Sequence, residues 1–124
     1  MDLRATPAIA LGGMAGAALR WWVHDLWPGA STSWATLIVN VAGSAVLGWL
    51  LAADAGRSVF ARAAGAGFCG SFTTFSAFSL ITAEHLKSGQ PGTGLGYVAI
   101  SLAAAIAAAT AAGLVRRRLR RVFA

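Results

Sequence analysis

Four apolar stretches, each close to the length of a membrane crossing, use up almost the whole chain. A helix needs roughly 20 consecutive apolar residues to cross a hydrocarbon core about 30 Å thick. Residues 5–23, 33–53, 60–86 and 93–115 each come near that length. Between them lie only short connections with turn chemistry: Trp27-Pro28-Gly29, Asp54-Ala55-Gly56-Arg57 and Ser88-Gly89-Gln90-Pro91-Gly92. No linker or soluble domain has room. The chain reads as a single all-α transmembrane domain over residues 1–124, with four membrane-spanning helices.

Composition supports this. Charged residues make up 11% of the chain and apolar residues 57%; soluble domains average about 25% charged. So small a soluble fold has no interior large enough for that apolar surface, so lipid must cover part of it. The formal net charge is +6, yet five of the ten basic residues fall within positions 116–121. A basic tail can bind nucleic acid. Beside an apolar helix, the simpler reading is an anchor at the cytoplasmic headgroups, and no nucleic-acid partner is expected. Trp21, Trp22, Trp27 and Trp34 gather round the first connection, as in an aromatic belt at the membrane surface. The single cysteine, Cys69, excludes an internal disulfide and a cysteine-only metal site.

The first stretch imitates a signal peptide, with Arg4 ahead of an apolar run. Arg20-Trp21-Trp22 after it fits a retained helix end better. Gly12 and Gly16 form a GxxxG pair, which lets helix backbones approach closely. The run Gly92-Thr93-Gly94-Leu95-Gly96 follows no strand and is discounted as a nucleotide loop.

Polar groups inside apolar spans are costly unless partnered, and they often mark a pathway. Thr36, Asn40 and Ser44 are four apart on one face of the second span. They read either as hydrogen-bonding glue between helices or as the lining of a path. Tyr97 and Ser101 in the fourth span leave the same choice open. Arg20, near the end of the first, either reaches to the headgroups or makes a positive vestibule. The third span carries Gly67-Phe68-Cys69-Gly70-Ser71-Phe72-Thr73-Thr74-Phe75-Ser76-Ala77-Phe78-Ser79. Glycine and consecutive threonines weaken a helix. A break there is tolerated at membrane depth only inside protein or beside a watery cavity, and it would expose carbonyl oxygens suited to a small hard cation. Phe75 and Phe78 share a face, for packing or for a pore.

Together these segments resemble the Fluc/CrcB family of small bacterial fluoride channels, over nearly the whole chain. The glycine-rich opening ending in Arg20, the segment around Asn40 and the Gly67–Ser79 motif carry the likeness; Tyr97 and Ser101 add a weaker match. The resemblance implies an antiparallel dimer in the bacterial inner membrane, with the third helix broken mid-membrane and two pores along the interface. It implies a structural sodium ion held by backbone carbonyls, here those of Gly70 and Thr73. It implies a fluoride path lined by Phe75 and Phe78, with Asn40, Tyr97 and Ser101 nearby and Arg20 at the entrance. The expected function is passive fluoride export, which lowers fluoride toxicity.

The sequence departs from that pattern in three places. The family's Glu three residues after the second pore Phe is Ile81 here, and the nearest acid is Glu84. The polar track of the last helix meets Ala105 one turn past Ser101. Finally, Arg4, Arg57, Arg62 and the five tail arginines fall on one side of a four-span topology, against Arg20 and Lys87 on the other. That bias places both termini in the cytoplasm. It favours pairing with a related subunit of opposite orientation over a homodimer.

Two other classes compete. A small four-helix multidrug exporter needs an acid inside its first helix, and here Asp2 and Asp25 only flank it. A non-transporting subunit of a membrane complex has no need for the Thr73-Thr74-Phe75 and Phe78 arrangement. Enzyme chemistry is not expected, since His24 and His85 have no metal-ligand spacing to an acid or thiol.

Overall fold

Proline and hydroxyl residues set where the helices begin. The computed structural model describes residues 5–26, 32–52 and 58–123. Helix α1 (Thr6–Asp25) starts at Pro7, whose fixed φ and missing N–H suit a first turn. Helix α2 spans Thr32–Leu51. Helix α3 (Val59–Phe72) is capped by Ser58, whose hydroxyl accepts from the Ala61 N–H at 3.2 Å. Helix α4 (Phe75–Lys87) follows α3 after two intervening residues, Thr73 and Thr74. Helix α5 (Pro91–Phe123) again opens on proline. Asp2, Arg4, Trp27, Pro28, Gly29 and residues 53–57, read from the sequence as turn, charge or belt positions, lie outside the described residues.

The turn between α4 and α5 depends on one glycine. Gly89 takes φ +74°, a conformation open to glycine at little cost. Its N–H donates to the Leu86 carbonyl at 3.2 Å, and the Gln90 N–H donates to the His85 carbonyl at 2.9 Å. This pair of bonds satisfies the last carbonyls of α4 and sends α5 back along it.

The helices pair through small residues. A Cβ on Gly12 or Gly16 would overlap the carbonyl of Ala64 or Phe68, so the GxxxG face of α1 lies directly on the α3 backbone. Gly48 of α2 meets the Ala109 backbone of α5 in the same way. Positions rise together along each pair (Gly12 with Ala64, Arg20 with Thr73; Gly48 with Ala109, Trp49 with Arg116), so α1 runs parallel to α3 and α2 parallel to α5. Across α2 and α3 they run oppositely, Leu50 beside Gly65 and Gly43 beside Thr73. The start of α1 and the end of α5 therefore share one end of the bundle.

The interior is thin. The buried apolar residues are Ala8, Ala35, Val39, Cys69, Phe72 and Ile81, while Trp34, Ile100, Ile106 and many other large apolar side chains are exposed. Three described segments are long and apolar enough to cross a membrane: Ser33–Leu51, Val59–Lys87 and Pro91–Val122. The second holds α3 and α4 together. The expected first span is a helix of 20 residues but is not among them, because Pro7, its glycines, Arg20, His24 and Asp25 lower its apolar average. Helix α5 begins two residues before the expected fourth span, 93–115, and runs eight past it, since arginine propagates a helix well even where it ends an apolar run.

Candidate functional site

The residues between α3 and α4 are extended. Thr73 has φ −78° and ψ 161°, and Thr74 has φ −145° and ψ 119°. Two local devices end one helix and start the next. The Thr73 N–H and hydroxyl both donate to the Cys69 carbonyl, at 3.1 and 2.8 Å. The Thr74 hydroxyl accepts from the Ala77 N–H at 3.2 Å as the N-cap of α4.

Two side chains from other helices hold the opened backbone. Asn40 of α2 accepts from the Thr74 N–H at 2.8 Å and donates to the Thr74 carbonyl at 3.0 Å. Arg20 of α1 donates through Nη1 to the Thr73 carbonyl at 3.2 Å. Because Asn40 takes the Thr74 N–H, the Gly70 carbonyl loses its i+4 donor. Gly70 is exposed, with open space around it.

A cation site implied by the family likeness can be tested on these atoms. Among the described residues no three His, Cys, Asp or Glu side chains gather to hold a metal. The donors on offer are main-chain oxygens at the C-terminal end of α3, where the helix dipole is negative. That set suits a small hard cation. The Gly70 oxygen is free of the ladder, and the Thr73 oxygen keeps one lone pair beside its bond to Arg20.

An aromatic row leaves the break. The Phe75 and Phe78 ring centroids lie 5.8 Å apart, and those of Phe78 and Tyr97 5.7 Å apart. The Tyr97 hydroxyl donates to the Ser33 carbonyl at 3.5 Å. Phe75 is 79% exposed in the single chain. An open groove of about 480 Å³ runs beside this row. Asn40, Ser44, Gly70, Thr73, Phe75, Phe78 and Ser101 line it, together with apolar Leu102 and Ala105. The Ser101 side chain is buried. The groove thus has a few polar groups in an otherwise apolar wall.

Of the residues singled out from the sequence, Asn40, Gly70, Thr73, Phe75, Phe78 and Ser101 meet at this groove, and the Tyr97 ring lies tilted against Phe78. Arg20 lies in a separate hollow of about 360 Å³ with Trp21, His24 and Ser76; Thr74 borders both spaces. Ile81 is buried within the subunit, whereas Glu84 is exposed. Thr74 and Cys69 were missed as site residues. The signal for Thr74 was its hydroxyl just ahead of a helix; nothing in the sequence marks the Cys69 carbonyl.

Long apolar helices, a thin interior and polar side chains that bond to the extended residues between α3 and α4 define an all-helical integral membrane protein. Residues 7–114 match the family described as CrcB-like protein, Camphor Resistance (CrcB). The chain belongs to that family. It is 43% identical over 107 residues to "Fluoride-specific ion channel FluC 1" of Nocardia farcinica, covering 84% of this chain and 75% of that protein. It is 41% identical over 112 residues to "Fluoride-specific ion channel FluC" of Bordetella petrii, covering 86% of each. Against the protein of that name from Gloeobacter violaceus it is 36% identical over 124 residues, covering 94% of this chain and 99% of the relative.

Proposed function

We propose that this chain is a subunit of a fluoride-selective channel that lets fluoride leave the bacterial cytoplasm down its gradient. The observation that carries the reading is the extended pair Thr73 and Thr74 beside the Phe75 and Phe78 rings. Fluoride is small and strongly hydrated, so a path for it must replace part of its water. Ring edges carry partial positive charge, and Asn, Ser and Tyr supply hydrogen-bond donors. Such contacts hold an anion weakly enough to release it, as conduction requires.

In this reading four spans cross the inner membrane, α3 and α4 forming one span broken at membrane depth. Two subunits pair antiparallel, and two pores follow the interface. The exposed Phe75 ring and the open groove are surfaces that such a partner would cover. A sodium ion between the subunits, held by the Gly70 and Thr73 carbonyls, supplies positive charge near the path. Both termini lie in the cytoplasm, as the arginine bias requires. That bias also favours a related subunit as partner. Nocardia farcinica has both a FluC 1 and a FluC 2 among the relatives.

Fluoride-electrode efflux from liposomes tests this. The chain reconstituted with its partner should release fluoride and not chloride. Absence of fluoride release from a correctly assembled dimer would overturn the channel reading. Full transport by the chain purified alone would overturn the heterodimer.

A further inference from the structure

The C-terminal end of α5 has no role in the groove, and it is longer than a membrane crossing requires. At 1.5 Å per residue its 33 residues extend about 50 Å, against a hydrocarbon core of about 30 Å. The overshoot is thus about 20 Å, and the residues past Arg116 supply about 10 Å of it at the arginine end. Arg116 packs over the Trp49 ring at 4.9 Å and donates through Nη1 to the Trp49 carbonyl at 3.2 Å. Trp49 stands near the last turn of α2. Tryptophan favours the headgroup level, so this contact marks where the hydrocarbon ends.

Beyond that level the helix sorts its residues by face. Val115, Leu119 and Val122 follow four- and three-residue spacing, share one side and are all exposed. Arg117, Arg118 and Arg121 share another side and are also exposed. Arg116 and Arg120 lie four apart on the side toward α2. The segment from 115 to 123 contains no acidic residue. In addition, the Arg116 Nε is buried and meets no acceptor among the described residues.

We propose that this basic extension is a binding site for acidic phospholipid headgroups in the leaflet where α5 emerges. Charge complementarity selects the occupant: the exposed guanidinium groups of Arg117, Arg118 and Arg121, held at phosphate height, match anionic headgroups. Guanidinium recognises phosphate through paired N–H donors, and Val115, Leu119 and Val122 offer apolar contact to the adjoining acyl chains. The inference goes beyond fluoride conduction, and its test does not depend on it.

The test uses the full chain in phosphatidylcholine bilayers, with trace spin-labelled phosphatidylglycerol or phosphatidylcholine. Electron spin resonance should show phosphatidylglycerol associating about fivefold more strongly than phosphatidylcholine, and 1 M salt should weaken the preference. In the triple variant Arg117→Gln, Arg118→Gln, Arg121→Gln, the preference should fall below about twofold. The corresponding triple lysine variant should retain most of it, and circular dichroism checks that both variants remain helical. Equal association of the two lipids with the wild type would overturn the proposal, as would a preference unchanged in the glutamine variant. Retention of an oligonucleotide through the same arginines, with no lipid preference, would overturn it in favour of nucleic acid.

Discussion

Asn40 grips both faces of one peptide residue, its side-chain oxygen accepting from the Thr74 N–H at 2.8 Å while its nitrogen donates to the Thr74 carbonyl at 3.0 Å. One amide thus gives the Thr74 N–H the acceptor that the break removes, and adds a second donor to the Thr74 carbonyl, which as N-cap already accepts the first bond of α4. Without it, the Thr74 N–H would be left unsatisfied, which is costly away from water. Replacement by alanine should cost roughly 1–3 kcal/mol, the penalty of one buried N–H losing its partner. Asn40→Asp keeps the acceptor but sets a carboxylate against the Thr74 carbonyl, so it should be at least as damaging to transport. Denaturation in detergent measures the first and fluoride efflux the second. Asp behaving like wild type would remove the donor from the account.

Phe75 contrasts with Asn40, because little within the subunit depends on it. It is mostly exposed, touching Phe78 at 5.8 Å between centroids. Phe75→Ile should therefore change the stability of the isolated subunit by no more than about 0.5 kcal/mol, as for other exposed positions. Phe75→Ile and Phe78→Ile should each abolish fluoride efflux while the dimer persists on size exclusion, since isoleucine lacks the polarised ring edge. Undiminished flux in both variants would take the rings out of the path.

Much of this was legible in the sequence because it is local. The weak helix formers Thr73 and Thr74 fall where α3 ends, and Gly12 with Gly16 do face a neighbouring backbone. The glycine at position 89 closes the turn before α5. Other features depend on register between helices, which one sequence does not reveal. Asn40 and Thr74 are 34 residues apart, and Arg20 and Thr73 are 53 apart. Either polar residue reads equally well as glue or as pathway until those distances are known. The far end of α5 was not legible for another reason. Hydropathy reports where lipid contact stops, whereas helix propensity decides where the helix stops, and arginine satisfies the second criterion only.

The glycine contacts predict opposite outcomes for one substitution. A Cβ on Gly16 would run into the Phe68 carbonyl and lie 3.0 Å from the Phe72 nitrogen. Backbone cannot swing aside as a side chain does, so Gly16→Ala should cost about 1–3 kcal/mol. Gly96 lies inside α5 with nothing within 4 Å of the same added atom. There alanine should stabilise by about 0.5–1 kcal/mol through helix propensity. Paired unfolding curves in detergent would show the sign change. Loss of stability at both sites would mean that Gly96 has a neighbour in the assembled dimer.

Arg20 contributes a fixed charge as well as its bond to Thr73. It borders a hollow shared with His24 and Ser76, next to the break. A cation at such a mouth raises the local concentration of anions, and this attraction weakens as salt screens it. Wild-type initial efflux should therefore fall as inert salt is raised from about 10 mM to about 500 mM, a range over which the screening length shrinks several-fold. Arg20→Gln should be slower at low salt and should respond less to added salt, while Arg20→Lys should keep the salt response because it keeps the charge. If lysine proves as slow as glutamine at every salt concentration, the guanidinium acts through its hold on the Thr73 carbonyl, and its charge plays no part in drawing the ion in.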